Sequence, residues 1–313
     1  MSAKISLISW QSKKMSKSMS LFSALFCTFI WGTTFIAQDT GMDKIGPLTF
    51  NATRFFVGFL SIMPIALLIE KKKISKEINN NKKLFFKLLF WIGLFLFLGT
   101  FLQQTALLYT DVANAAFFTI FYVPMVPIIL FLIYSKSIHW SIWPSVLFCL
   151  FGVYLLSDFS DATIRLGDGL VILCALFWAL HIIFIGNFIK NFNLPLFFGA
   201  LQALMVSFFS FIFAIFFETI TISNILNESI SIIYAGVLSG GIAFTLQIYA
   251  QKNISPAPAG IIFSLEGVFA TIAAWIILNQ ILDINNVIGC FLIICGVLFS
   301  QLLPLYDSKV KNI

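Results

Sequence analysis

Residues 166–188 read LGDGLVILCALFWALHIIFIGNF, a run in which Asp168 and His181 are the only strongly polar ionisable side chains. A helix of about 20 mainly apolar residues crosses the hydrocarbon core of a bilayer, so this stretch reads as a membrane span. Runs of the same kind precede it near 21–38, 48–69, 86–108, 112–134 and 139–156, and follow it near 196–217, 229–250, 257–279 and 285–303. Together they predict an all-α integral membrane protein of ten transmembrane helices. The composition agrees, with 60% apolar and 10% charged residues and a mean hydropathy of +0.99. Ordinary soluble domains are about 25% charged, so a water-soluble fold is excluded and no room is left for a soluble domain.

The charge pattern tests the count of spans. With the N-terminus inside, the basic tail over residues 1–20 (Lys4, Lys13, Lys14, Lys17), the cluster from Lys71 to Lys87, and Lys136, Lys190, Lys252, Lys309 and Lys311 fall on one side of the membrane. The other side receives only Lys44 and Arg165, together with Asp39, Asp43, Asp111, Asp158, Asp161, Asp168, Glu218, Glu228 and Asp283. A missed span would scramble this separation, which follows the rule that cytoplasmic loops hold the Lys and Arg excess. The net charge of +6 is therefore read as topology and not as nucleic-acid binding. Lysines ahead of the first apolar run resemble a signal peptide, but no small-residue cleavage site follows them, and a retained first helix is expected. Cys27, Cys149, Cys174, Cys290 and Cys295 lie in apolar stretches without a CxxC pair and read as packing residues. The 38 phenylalanines come with abundant Ile, Lys and Asn, a bias of AT-rich coding sequence, and say nothing of an aromatic substrate.

The two halves repeat each other. Trp31, Pro47 and Arg54 are followed in the second half by Trp178, Pro195 and Gln202 at nearly the same spacing, so Gln202 takes the place of Arg54. Gln103 and Ala106 match Gln247 and Ala250, and Gly152 matches Gly296. Each half holds five spans. Because five is odd, the second copy enters from the opposite side, which gives two inverted five-helix repeats over 21–156 and 157–303, with a short tail over 304–313.

These residues resemble the drug/metabolite transporter superfamily in its ten-helix, EamA-type form. The resemblance rests on Trp31-Gly32 with Phe35, Pro47 and Arg54, on Ala106-Leu107-Leu108-Tyr109 leading through Asn114-Ala115-Ala116 to Pro124, and on Ser264-Leu265-Glu266 before Trp275. Gly267 stands where the family usually has Pro, and Ser135-Lys136 and Asn279-Gln280 replace its Gly-Glu pairs, which implies different bracing of those helix ends. The resemblance implies amino acids or related metabolites as cargo, often exported from the cell, with proton coupling and uniport both compatible.

Polar residues inside the spans are the candidate substrate contacts. Arg54 and Glu266 each cost roughly 2.5–3.5 kcal/mol against lipid on insertion scales, so both should face the bundle interior. Asn51, Arg54, Gly58 and Ser61 share one helix stripe. Glu266 could pair with Arg54 or meet a substrate cation, and each residue could equally be a structural ion pair or hydrogen bond. Gln103 and Gln247 offer amide donors and acceptors to a neighbouring helix or to a solute. His181, one turn after Trp178, could relay protons or be a satisfied interior residue. Trp31, Trp178, Tyr109 and Tyr122 could line a pathway or simply pack. Pro124 and Pro127, Gly240-Gly241, and Pro256 and Pro258 mark places where helical hydrogen bonding can break, as kinks or as hinges.

The expected function is a secondary transporter in the cell (inner) membrane, with both chain ends cytoplasmic. It would carry a small-molecule solute between the two repeats, through the lipid bilayer, without a cofactor, a metal or a nucleic-acid partner. No Walker-type GxxxxGK[ST] segment is present. A homodimer is compatible with the sequence. The alternatives are an intramembrane enzyme acting on a lipid or isoprenoid, which lacks an HExxH or GxSxG motif here, and a transport-inactive receptor.

Overall fold

In the computed structural model, residues 16–110, 112–156, 165–278 and 281–310 are described. Expectations resting on Lys4, Lys13, Lys14, Asp111, Asp158, Asp161, Asn279, Gln280 and Lys311 lie outside the described residues. The first repeat comprises α1 (Lys17–Thr40), α2 (Pro47–Asn80), α3 (Lys82–Ala106), the broken pair α4 (Val112–Thr119) and α5 (Tyr122–Leu132), and α6 (Ile142–Leu156). The second comprises α7 (Leu166–Asn191), α8 (Pro195–Phe217), the short α9 (Ile222–Asn227), and α10 (Ser229–Tyr234) running through a π-helical segment at Ala235–Ala243 into α11 (Phe244–Ala250). It closes with α12 (Pro256–Phe263), α13 (Leu265–Leu278) and α14 (Ile284–Val310). Among the described residues nine helical stretches are long and apolar enough to span a membrane, and Ile142–Leu156 is a shorter apolar one.

Helix ends follow local chemistry. The Ser16 hydroxyl accepts from the Met19 N–H at 3.2 Å, and the Asn81 side chain accepts from the Leu84 N–H at 3.1 Å. Pro47 and Pro195 open α2 and α8, where a missing N–H leaves no helical bond unmade. Asp168 accepts from the Arg165 N–H at 2.8 Å and from the Thr110 hydroxyl at 2.6 Å, which fixes the start of α7 against the end of α3. Two helices outrun their predicted spans, α2 to Asn80 and α14 to Val310. Lys and Glu leave the hydrocarbon region, yet they are good helix formers, so the helix continues after the membrane crossing ends.

The packing shows the inverted repeat. The heaviest contacts join α2 to α8 and α6 to α14, each pairing a helix with its own counterpart. The remaining large contacts come in exchanged pairs: α3 on α7 mirrors the π-helical segment and α11 on α1, and α1 on α13 mirrors α7 on α4 and α5. Glycines make the counterpart contact between α6 and α14 close. A Cβ on Gly152 would meet Gly289 O at 2.7 Å and Ile293, while one on Gly296 would meet Ser145 O at 2.8 Å and Cys149. The outer surface is apolar, with Phe22, Phe26 and Phe29 exposed and stacked along α1. In lipid such a surface needs no cover, and small interior residues, not hydrophobic burial, set how near the helices come.

Candidate functional site

Of the stripe, Arg54, Gly58 and Ser61 lie against the π-helical segment. A Cβ on Gly58 would stand 2.8 Å from Gly240 C and 2.9 Å from Gly236 O, so the two backbones touch here. Three interruptions of helical bonding meet around one cavity between the repeats: the break between α4 and α5, the π-helical segment, and the break at Ser264 between α12 and α13. They deliver Thr119 and Tyr122, Ser239, and Phe263 and Glu266 to its wall. Irregular backbone at membrane depth is tolerated where it lines a cavity, and here it does so three times.

Aromatic rings form much of the wall. Trp178 stacks on Phe244 with ring centroids 5.8 Å apart, and Trp31 lies 5.1 Å from Phe244 and 5.6 Å edge-on from Phe263. Into this apolar chamber project Gln38, Arg54, Thr100, Gln103, Gln247 and Glu266.

Arg54 is 2% exposed, and its Nε donates to Asn51 Oδ1 at 2.9 Å. Its guanidinium carbon sits 4.9 Å from the centroid of Phe55 and 5.2 Å from that of Phe50, which supplies cation–π attraction without neutralising the charge. Among the described residues the one ion pair is His139 with Asp307, so Arg54 and Glu266 share a cavity without pairing. The Glu266 side chain has no hydrogen bond to any described residue. Buried opposite charges left apart are unfavourable unless something between them takes up both.

Gln247 is held from behind by a chain of side chains. Its Nε2 donates to His181 Nδ1 at 3.4 Å, and His181 Nε2 donates to Gln202 Oε1 at 3.1 Å. A carbonyl oxygen can only accept, so the imidazole proton lies on Nε2 and Nδ1 takes the Gln247 N–H. The Gln247 Oε1 is left buried and without a partner. Its counterpart Gln103 is held instead by donating to the Thr119 hydroxyl at 3.2 Å.

Of the residues predicted from sequence, Glu266, Gln247, Gln103, Trp178, Tyr122 and Arg54 line the one cavity. His181 and Gln202 are fully buried behind Gln247 and do not line it. Tyr109 is 51% exposed and stands apart. Sequence reading did not single out Gln38, Thr100, Ile182, Ser239, Phe244 and Phe263 as wall residues. Part of the signal was present: Trp31, Phe35 and Gln38 form an i, i+4, i+7 stripe, Trp178 and Ile182 repeat its start, and Thr100 and Phe244 each lie three residues before a repeat-matched glutamine. Ser239 and Phe263 had none, because their orientation follows from the π-helical segment and the break at Ser264.

Comparison with known proteins fits this architecture. The model of the EamA-like transporter family matches twice, over residues 18–158 and 165–302. A protein of Archaeoglobus fulgidus described as an uncharacterized transporter is 33% identical over 276 residues, covering 87% of this chain and 82% of its own. Another of Bacillus subtilis, also described as an uncharacterized transporter, is 24% identical over 285 residues, covering 87% and 93%. A solved crystal structure superposes with a TM-score of 0.75 at 17% identity, covering 92% of this chain and 98% of that one, which shows a shared fold.

Proposed function

Because the chain belongs to the EamA-like transporter family, we propose that it is a secondary transporter of amino acids or related small zwitterions, working by alternating access between its two inverted repeats. The observation that carries this reading is that a base and an acid, Arg54 and Glu266, line one aromatic-walled cavity with no ion pair between them. A carboxylate would be held by the guanidinium and an ammonium by the Glu266 carboxylate, while Trp31, Trp178, Phe244 and Phe263 contact an apolar side chain. The Gln247 carbonyl offers a further acceptor.

Transport, and not catalysis on a lipid, is the reading for which the site provides parts. The lysine distribution supports a cell-membrane protein whose two ends lie in the cytoplasm, and export is the direction the family resemblance favours. Glu266 is the group able to exchange a proton for the solute ammonium, which would couple efflux to protons. A homodimer is compatible with this scheme, although each chain holds a whole cavity. The test is flux of L-leucine and L-phenylalanine in proteoliposomes containing the wild type or Glu266→Gln. Flux that depends on pH in the wild type and loses that dependence in the variant is expected. Unchanged flux and pH dependence in Glu266→Gln would remove Glu266 from the mechanism.

A further inference from the structure

α2 and α8 are counterparts in the two repeats, and one contact, used twice, ties them at both ends. Each opens on a proline, Pro47 or Pro195, and each carries a glutamate twenty-three residues later, Glu70 within α2, which runs on to Asn80, and Glu218 directly after the last residue of α8. Because the helices run antiparallel, the glutamate of one reaches the proline end of the other. Glu218 accepts from the Leu48 N–H at 2.8 Å, from the Thr49 N–H at 2.8 Å and from the Thr49 hydroxyl at 2.6 Å. Glu70 accepts from the Leu196 N–H at 3.2 Å and the Phe197 N–H at 2.8 Å. The first N–H groups of a helix have no partner within it and carry the positive end of its dipole, so each carboxylate satisfies donors and charge together. Gly46 makes room for one clasp, since a Cβ there would lie 2.2 Å from the Glu218 carboxyl carbon. Midway, the Ser207 hydroxyl donates to Ala52 O at 2.8 Å.

Helices that gate a pathway meet at one membrane face while they part at the other. This pair is closed at both ends in a single conformation. It also stands aside from the cavity, to which α2 contributes only Arg54 and α8 contributes no residue. We propose that α2 and α8, clasped by Glu218 at one end and Glu70 at the other, form a permanent axle about which the remaining helices of the two repeats move. The movement rests on the transport reading; the double clasp is testable without a solute.

Hydrogen–deuterium exchange of the full chain in lipid nanodiscs reads the capped amides directly. In the wild type the Leu48–Thr49 and Leu196–Phe197 amides should both exchange slowly. Glu218→Ala should speed only the first pair and Glu70→Ala only the second, each by about tenfold or more. The Gln variants keep one acceptor oxygen, should give intermediate rates, and replace an alanine variant that fails to fold. The axle is overturned if either pair in the wild type exchanges as fast as in its alanine variant, or if saturating L-leucine slows one pair while speeding the other. A second measurement bridges cysteines placed at Lys44 and Thr219, and at Lys73 and Asn193, with a short bis-thiol reagent in a chain whose own cysteines are replaced. L-leucine flux that survives bridging supports the axle, and flux lost on bridging overturns it. Absence of flux before bridging counts against the transport reading, and the exchange result then decides the clasp alone.

Discussion

Gly58→Ala adds a single methyl group where α2 touches the π-helical segment, and the structure sets the size of the effect. The new Cβ would lie 2.8 Å from Gly240 C, 2.9 Å from Gly236 O and 2.9 Å from Gly241 N. Ordinary contact begins near 3.4 Å, so the two elements must separate by about half an ångström. All three obstacles are backbone atoms that cannot rotate away, which places the cost at the upper part of the roughly 1–3 kcal/mol typical of overpacking. The better helix preference of alanine returns up to about 1 kcal/mol, leaving a net loss of about 1–2 kcal/mol. Gly169→Ala is the control, because a Cβ there meets nothing within 4 Å and keeps only the favourable helix preference. Thermal unfolding of wild type and both variants, followed by tryptophan fluorescence in the same micelle, should rank Gly58→Ala lowest and Gly169→Ala at or above wild type. Unfolding of Gly58→Ala at or above the control temperature would refute the claim that this contact sets the helix spacing.

Other perturbations separate charge from packing. Arg54→Met should abolish the thermal shift produced by L-leucine while leaving the unliganded protein at least as stable as wild type, since a buried cation without a carboxylate is replaced by an apolar chain of similar length; retained ligand-induced stabilisation would count against Arg54 as the carboxylate holder. Gln247→Leu should weaken binding of the same probe by about tenfold through loss of one buried acceptor, and an unchanged affinity would show that its free oxygen is not used. Asp307→Ala removes the contacts to His139 at 3.1 Å and Trp140 at 3.0 Å, yet both partners of the ion pair are about one-third exposed, so the unfolding temperature should fall by the equivalent of at most about 1 kcal/mol. A larger loss, measured in the same unfolding assay, would show that this loop-to-helix tie is structural.

The sequence by itself determined the membrane class, the ten apolar runs and their inversion, because hydropathy and charge partition between lipid and water one segment at a time, whatever the segments later pack against. It also located two of the helix breaks, since the interruption before Pro124 and the irregular turn through Gly240-Gly241 follow from residues that weaken helical bonding, whereas the division at Ser264 was not marked and the expected break at Pro256 and Pro258 falls at the start of α12. The Glu70 and Glu218 contacts were not legible, since a glutamate at a span boundary looks like any interfacial charge until the antiparallel neighbour brings free N–H groups to it. Nor was it legible that Arg54 and Glu266 would share a chamber unpaired, or that His181 and Gln202 would stand behind Gln247 and not beside it. Which face of each helix meets which neighbour depends on rotation and crossing distance, and these are set by small residues such as Gly58, Gly152 and Gly240 acting across the bundle. Those contacts join residues far apart in the chain, so only the tertiary structure could decide them.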